Sequence, residues 1–188
     1  MASRGRRRLP RFAWGSLLLL ALAACSSVPV QLGSDSDPHV ARELLVGAAE
    51  TGPVRMEING VVRARDSTVL QPRMAEQAAR GVQNLRVRFT EVPGAPGSAA
   101  LLLLFDPPAG LDLKRVCATS PLPASVPSPE PLRLVAVFCD GRTFIADASG
   151  STSGTTAADV DRLIWRTVGA LFPDNYPETY GIRQFFGL

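Results

Sequence analysis

Histidine and lysine are each present once in this chain of 188 residues, as His39 and Lys114, and cysteine occurs only three times. So small a supply of imidazole and thiol excludes the common zinc centres, which draw several His and Cys ligands at short spacing. No C-x-x-C pair occurs, so the usual signature of a thiol oxidoreductase is missing. Aromatic residues make up 6% of the chain, and no glycine-rich phosphate loop is present. Beyond residue 24 no apolar run approaches the ~20 residues that a membrane-crossing helix needs. No cofactor or metal is expected from this inventory.

What is there begins at the N-terminus. Arg4, Arg6, Arg7, Arg8 and Arg11 form a basic stretch, and Phe12 to Ala24 form an apolar one of thirteen residues. That is the layout of an export signal, and it is too short to span about 30 Å of hydrocarbon as a permanent anchor. Arg7-Arg8 invites a twin-arginine reading, but Leu9-Pro10-Arg11 does not continue the usual consensus. Where the apolar run stops, Leu22-Ala23-Ala24-Cys25 resembles the lipobox of bacterial lipoproteins. The resemblance covers residues 4 to 27 and implies cleavage before Cys25, lipid on its thiol, and three acyl chains on the mature residue. One chain binds a membrane only marginally, whereas several hold it stably. Ser26 and Ser27, in place of an acidic residue, imply sorting to the outer membrane, facing the periplasm.

Removal of the signal changes the charge balance. The whole chain carries a net +3, but five of its twenty basic residues precede Cys25, which leaves fifteen against seventeen acidic and a net charge of about −2. A basic surface for nucleic acid is therefore not expected. The partners expected are the membrane, through the lipid, and an envelope protein.

The chain divides into a signal peptide over 1–24, a lipidated cysteine with a flexible tether over 25–37, and a single domain over 38–188. Residues 26–37 are mostly small and polar, and they read as a tether. Asp37-Pro38 opens a helix that ends at Gly52-Pro53. Val54, Met56 and Ile58 alternate with polar residues as a half-buried strand, and Asn59-Gly60 signals a hairpin with a second arm at 61–65. A second amphipathic helix covers 71–84, and Leu85, Val87 and Phe89 alternate as another strand. Ala99 to Phe105 is wholly apolar, the mark of a central strand covered on both faces. Seven prolines between Pro107 and Pro131 leave a long loop without extended regular structure. Leu132 to Phe138 is again a strand, Asp140-Gly141 signals a hairpin returning over 143–146, and Gly150 to Gly154 reads as a linker. The last helix starts with a capping box at Thr156 and Asp159 and buries Val160, Leu163, Ile164, Thr167, Val168 and Leu171. Pro173 stops it. The fold class expected is α+β, an antiparallel-dominated sheet of four to six strands with about three helices packed on one face.

Candidate functional residues are few. With Cys25 lipidated, Cys117 and Cys139 are the cysteines left in an oxidising compartment, and a disulfide between them is expected. It would close most of the Pro-rich loop, and chain-entropy arithmetic puts its contribution at about 3.4 kcal/mol. His39, at the start of the first helix, fits a surface or capping role. Gly150-Ser151-Thr152-Ser153-Gly154 has the outline of a nucleophile elbow, but threonine occupies the central position. Lys114 has no evident serine partner. Asp106, Asp112, Asp140 and Asp147 lie near strand ends and are candidates for an acid/base pair, although each also suits turn chemistry. Tyr176, Tyr180, Phe185 and Phe186 fall within eleven residues; they either close the core or, with Tyr180, Phe185 and Phe186 exposed, contact a partner. No catalytic set emerges. The expectation is a membrane-tethered, non-enzymatic accessory or assembly factor for cell-envelope proteins. A small-molecule or lipid-binding module with a pocket between sheet and helices is the alternative, and a cell-wall hydrolase comes last.

Overall fold

A computed structural model describes residues 28–60, 70–90, 98–126, 131–154 and 156–174. Six strands and four helices are found among them: β1 (Val30–Leu32), α1 (Pro38–Thr51), β2 (Val54–Asn59), α2 (Leu70–Gly81), β3 (Phe89–Thr90), β4 (Ala99–Phe105), α3 (Leu113–Val116), β5 (Leu132–Asp140), β6 (Thr143–Thr152) and α4 (Ala157–Leu171). All six strands join one sheet in the order β1-β6-β5-β4-β2-β3.

The α+β class agrees with the expectation, but the sheet is mixed rather than antiparallel-dominated. β4, β5, β6 and β1 pair antiparallel in succession, whereas β2 runs parallel to both β4 and β3. The physical cause is α2, which lies between β2 and β3 in sequence and returns the chain to the starting end of the sheet, as parallel pairing requires. The second hairpin arm expected at 61–65 lies outside the described residues.

β4 holds the centre. Its alternate side chains enter two separate apolar clusters. Leu101, Leu103 and Phe105 point to the face covered by α1, α2 and α4, and pack with Ala41, Leu45, Met74, Ala78, Leu163, Ile164 and Val168. Ala100, Leu102 and Leu104 point to the other face and meet Val137, Cys139, Val116 and Leu122. A strand with both faces dry needs apolar residues at every position, which accounts for its unbroken run.

The two faces are covered by different means. Three long helices lie on the first; α2 and α4 approach so closely that a Cβ at Gly81 would come within 2.7 Å of the Trp165 carbonyl oxygen, so only glycine fits there. The Pro-rich loop covers the second face, with the short α3 inside it. Asp112 caps α3 by accepting from the Lys114 N–H at 3.1 Å. The Cys117–Cys139 disulfide ties this loop to the end of β5.

Local sequence signals set several boundaries. The Asp37 carboxylate accepts from the His39 and Val40 N–H groups at 3.1 and 3.0 Å and starts α1. At α4 the reciprocal capping box of Thr156 and Asp159 is formed, and all six apolar-face residues named from the sequence are buried. The β5–β6 hairpin turns through Gly141 and Arg142, with Asp140 opposite Thr143. Gly141 has φ 59°, a left-handed value that favours glycine.

Three expectations are corrected. Of residues 85–90 only Phe89 and Thr90 are strand: they lie at the edge of the sheet and pair with β2 at Val54 and Arg55, whereas the Val87 N–H turns back to the Leu85 carbonyl oxygen at 3.1 Å. Gly150, Ser151 and Thr152 are strand rather than linker: they pair with β5, and Gly150 also pairs with Val30 of β1. The expected tether over 26–37 contains a strand, since Val30–Leu32 forms the edge beside β6 and Val28 is buried in the main core.

The disulfide yields a testable outcome. Replacing Cys117 and Cys139 by serine should lower stability by about 3 kcal/mol in urea titration. It should also raise binding of a hydrophobic dye, because Leu102, Leu104 and Val137 lose part of their cover.

Candidate functional site

The segment between β1 and α1 is held against β6. The Gly33 N–H donates to the Asp147 carbonyl oxygen at 3.0 Å and the Asp37 N–H to that of Ile145 at 3.2 Å. The Asp147 N–H donates to Ser36 Oγ at 2.8 Å, and the Ser36 hydroxyl lies within donating distance of the Asp147 carbonyl oxygen, 3.0 Å, and of Oδ1, 3.1 Å. A Cβ at Gly33 would collide with the Asp147 carboxylate, so glycine permits the contact. Lys114 reaches across from α3 to Asp35 at 3.1 Å. With Val28 in the core, the whole stretch from residue 28 onward is part of the domain.

Asp147 carries a perturbed carboxylate in this clamp. Burial raises its pKa, the Ser36 hydroxyl bond pulls it down, and the charge of Asp35 adds to the rise.

The second feature is an open groove of about 710 Å³ at the sheet end where β2 and β4 begin and β5 finishes. α1 contributes Glu43, Leu44 and Ala48 to its wall, and Val54, Ala99 and Asp140 come from the strand ends. Most of the lining is apolar, with Glu43, Arg55 and Asp140 supplying charge. Thr90 and Ser98 also line it, and residues 91–97 lie outside the described residues. The space between sheet and helices, where a ligand pocket was the sequence-based alternative, is filled by fully buried Leu45, Leu103, Phe105, Phe138 and Phe172. Phe138 and Phe172 meet edge to face at 5.1 Å.

The four candidate aspartates are spread apart. Asp106 follows Phe105, which pairs with Leu134, whereas Asp140 pairs with Ala99; seven residues of strand, about 23 Å, separate the two ends. Asp106 is buried at φ 44°. Its Oδ1 accepts from the Arg133 N–H at 2.9 Å, and its carbonyl oxygen accepts from the Val126 N–H at 3.0 Å, so it fastens the loop to β5. Asp112 caps α3, Asp140 borders the groove, and Asp147 belongs to the clamp. These positions bring no two of the four together as an acid/base pair. Ser151 and Thr152 lie within β6, not on a strand-to-helix turn. His39 sits in the first turn of α1. Among the described residues no group of three or more His, Cys, Asp or Glu side chains is placed to hold a metal ion.

Leu22, Ala23, Ala24 and Cys25 lie outside the described residues, as do Tyr180, Phe185 and Phe186. The point where the tail departs is well held: Arg42 pairs with Asp174 at 3.0 Å and donates to the Phe172 and Gln83 carbonyl oxygens, while Asn84 Nδ2 donates to Asp174 Oδ2 at 2.9 Å. Sequence reading missed the clamp and the groove. The alternation of Val28, Val30 and Leu32 was the available signal for β1. The groove has no local signal, because its walls come from five separate segments.

The fold defines a single-sheet α+β protein with a stapled loop on one face. No family model, curated protein or solved structure matches the chain.

The clamp makes stability depend on pH. The folded state binds the Asp147 proton more tightly than the unfolded chain does, so the ionised carboxylate costs stability at neutral pH. That cost is relieved as pH falls through the raised pKa towards the ordinary aspartate value. Asp147→Asn should therefore raise Tm at pH 7, and calorimetry near pH 4, at about the ordinary carboxylate pKa, should show a smaller gain. An equal gain at both pH values would exclude ionisation as its cause.

Proposed function

We propose that this chain is a lipid-anchored accessory or assembly factor of the bacterial cell envelope, carried on the outer membrane and facing the periplasm, with no catalytic role of its own. The lipobox-like Leu22-Ala23-Ala24-Cys25 supports the anchor, and Val28 carries the reading further: it is buried in the core three residues after Cys25. An acylated cysteine there holds the folded domain itself at the membrane. That placement suits a protein that works beside membrane machinery. The partner is an envelope protein, and Tyr180, Phe185 and Phe186 of the tail are its proposed contacts.

Two measurements test this. Radiolabelled palmitate should enter the wild-type chain and not Cys25→Ser, and in-cell crosslinking should recover one stoichiometric envelope partner that the variant loses. Deleting 182–188 separates the two roles of the tail: unchanged Tm with loss of the crosslinked partner supports contact, whereas a drop in Tm assigns the aromatics to the core.

A second reading, a binding module for a small apolar molecule or lipid, is favoured by the groove between α1 and the strand ends. Ala48→Trp, which narrows the groove, should then abolish binding of a fluorescent fatty acid; unchanged binding would remove this reading.

A further inference from the structure

The position of β1 orients the domain on its membrane. β1 is antiparallel to β6, with Val30 opposite Gly150 and Leu32 opposite Ala148, so Val28 and Pro29 lie at the sheet end where β6 finishes. β5 begins and β4 ends at that same end, since Leu134 pairs with both Gly150 and Phe105. Three residues of chain from Cys25 to Val28 reach at most about 11 Å. A lipid on Cys25 would therefore hold this end close to the headgroup layer.

The chemistry of the end fits that neighbour. Arg133 is exposed there and donates to the Pro107 carbonyl oxygen at 3.0 Å, which props its guanidinium at the sheet end. Pro29, Pro107, Arg133 and Ser151 line one shallow depression. Val126 is 58% exposed, the largest exposure among the large apolar residues described, and its N–H bond to the Asp106 carbonyl oxygen places it beside Arg133. An arginine to meet lipid phosphate and an exposed valine to enter the interface thus share the end nearest the anchor.

The groove lies diagonally opposite. Along β5, Leu134 to Asp140 is six residue steps, about 20 Å, and from β1 to β2 is four strand steps, each of about 4.8 Å.

We infer that the sheet end bearing Pro29, Val126, Arg133 and Ser151 rests on the headgroups of the anchoring bilayer, and that the groove at Glu43, Ala48 and Asp140 faces away from it. This rests on lipidation of Cys25, as proposed above. The domain does not swing on a tether; it stands on one end, and whatever enters the groove comes from the aqueous side.

The test uses the lipidated protein purified from membranes and reconstituted in vesicles of phosphatidylethanolamine and phosphatidylglycerol. Val126→Cys and Thr143→Cys each supply a thiol for an environment-sensitive fluorophore; Cys117 and Cys139 are bonded to each other, and Cys25 is a thioether. A lipid with a nitroxide on its headgroup should quench the label at 126 several-fold more than the label at 143. Arg133→Glu should reduce that difference, while Arg142→Glu, on the hairpin at the far end, should leave it. Equal quenching at 126 and 143 in protein that floats with the vesicles overturns the orientation alone. Protein that neither floats nor incorporates palmitate overturns the lipidation of Cys25, and the orientation with it.

Discussion

Everything in this fold answers to the need to keep β4 dry on both sides. Seven consecutive apolar residues in a central strand give two apolar surfaces, and burying one leaves the other to water at a cost of about 25 cal/mol per Å². Three helices cover the Leu101, Leu103 and Phe105 side. Among the described residues no long helix covers the Ala100, Leu102 and Leu104 side, where a proline-rich loop serves instead. The loop is fastened to the rest of the domain by the disulfide at Cys117, by the Asp106 bonds to Arg133 and Val126, and by Lys114 reaching Asp35.

The same requirement shapes the N-terminus. β6 would be an open sheet edge, a liability for pairing with other chains, if β1 did not cover part of it. The three-residue β1 does so with help from the Gly33 and Ser36 bonds to Asp147. Buried Asp147 accepts a desolvation cost in that arrangement, partly offset by the Ser36 hydroxyl. The clamp shortens the stretch between Cys25 and the folded domain to a few residues, and the proposed membrane role draws its geometry from that shortness.

Much of the candidate site was hidden from sequence reading for a physical reason. The groove is made where α1 passes the ends of β2, β4 and β5, and none of its residues has a neighbour in sequence that announces it. The aspartates near strand ends were legible as candidates, but whether they converge depends on register. Phe105 opposite Leu134 and Ala99 opposite Asp140 put Asp106 and Asp140 at opposite ends of one ladder.

By itself the sequence determined those features whose cause is local: the Asp37 and Thr156 caps, the apolar stripe of α4, the existence of a hairpin at Asp140-Gly141, the two-sided burial of Ala99–Phe105, and the pairing of Cys117 with Cys139. Each depends on residues a few positions apart, or, for the disulfide, on there being only two cysteines beyond residue 25. Tertiary structure alone decided strand direction, the fate of residues 30–32 and 150–152, and the grouping of distant side chains. A strand's period records which side is buried, but not which neighbour it pairs with or in which direction. The period of Val28, Val30 and Leu32 acquires meaning only when β6 stands beside it.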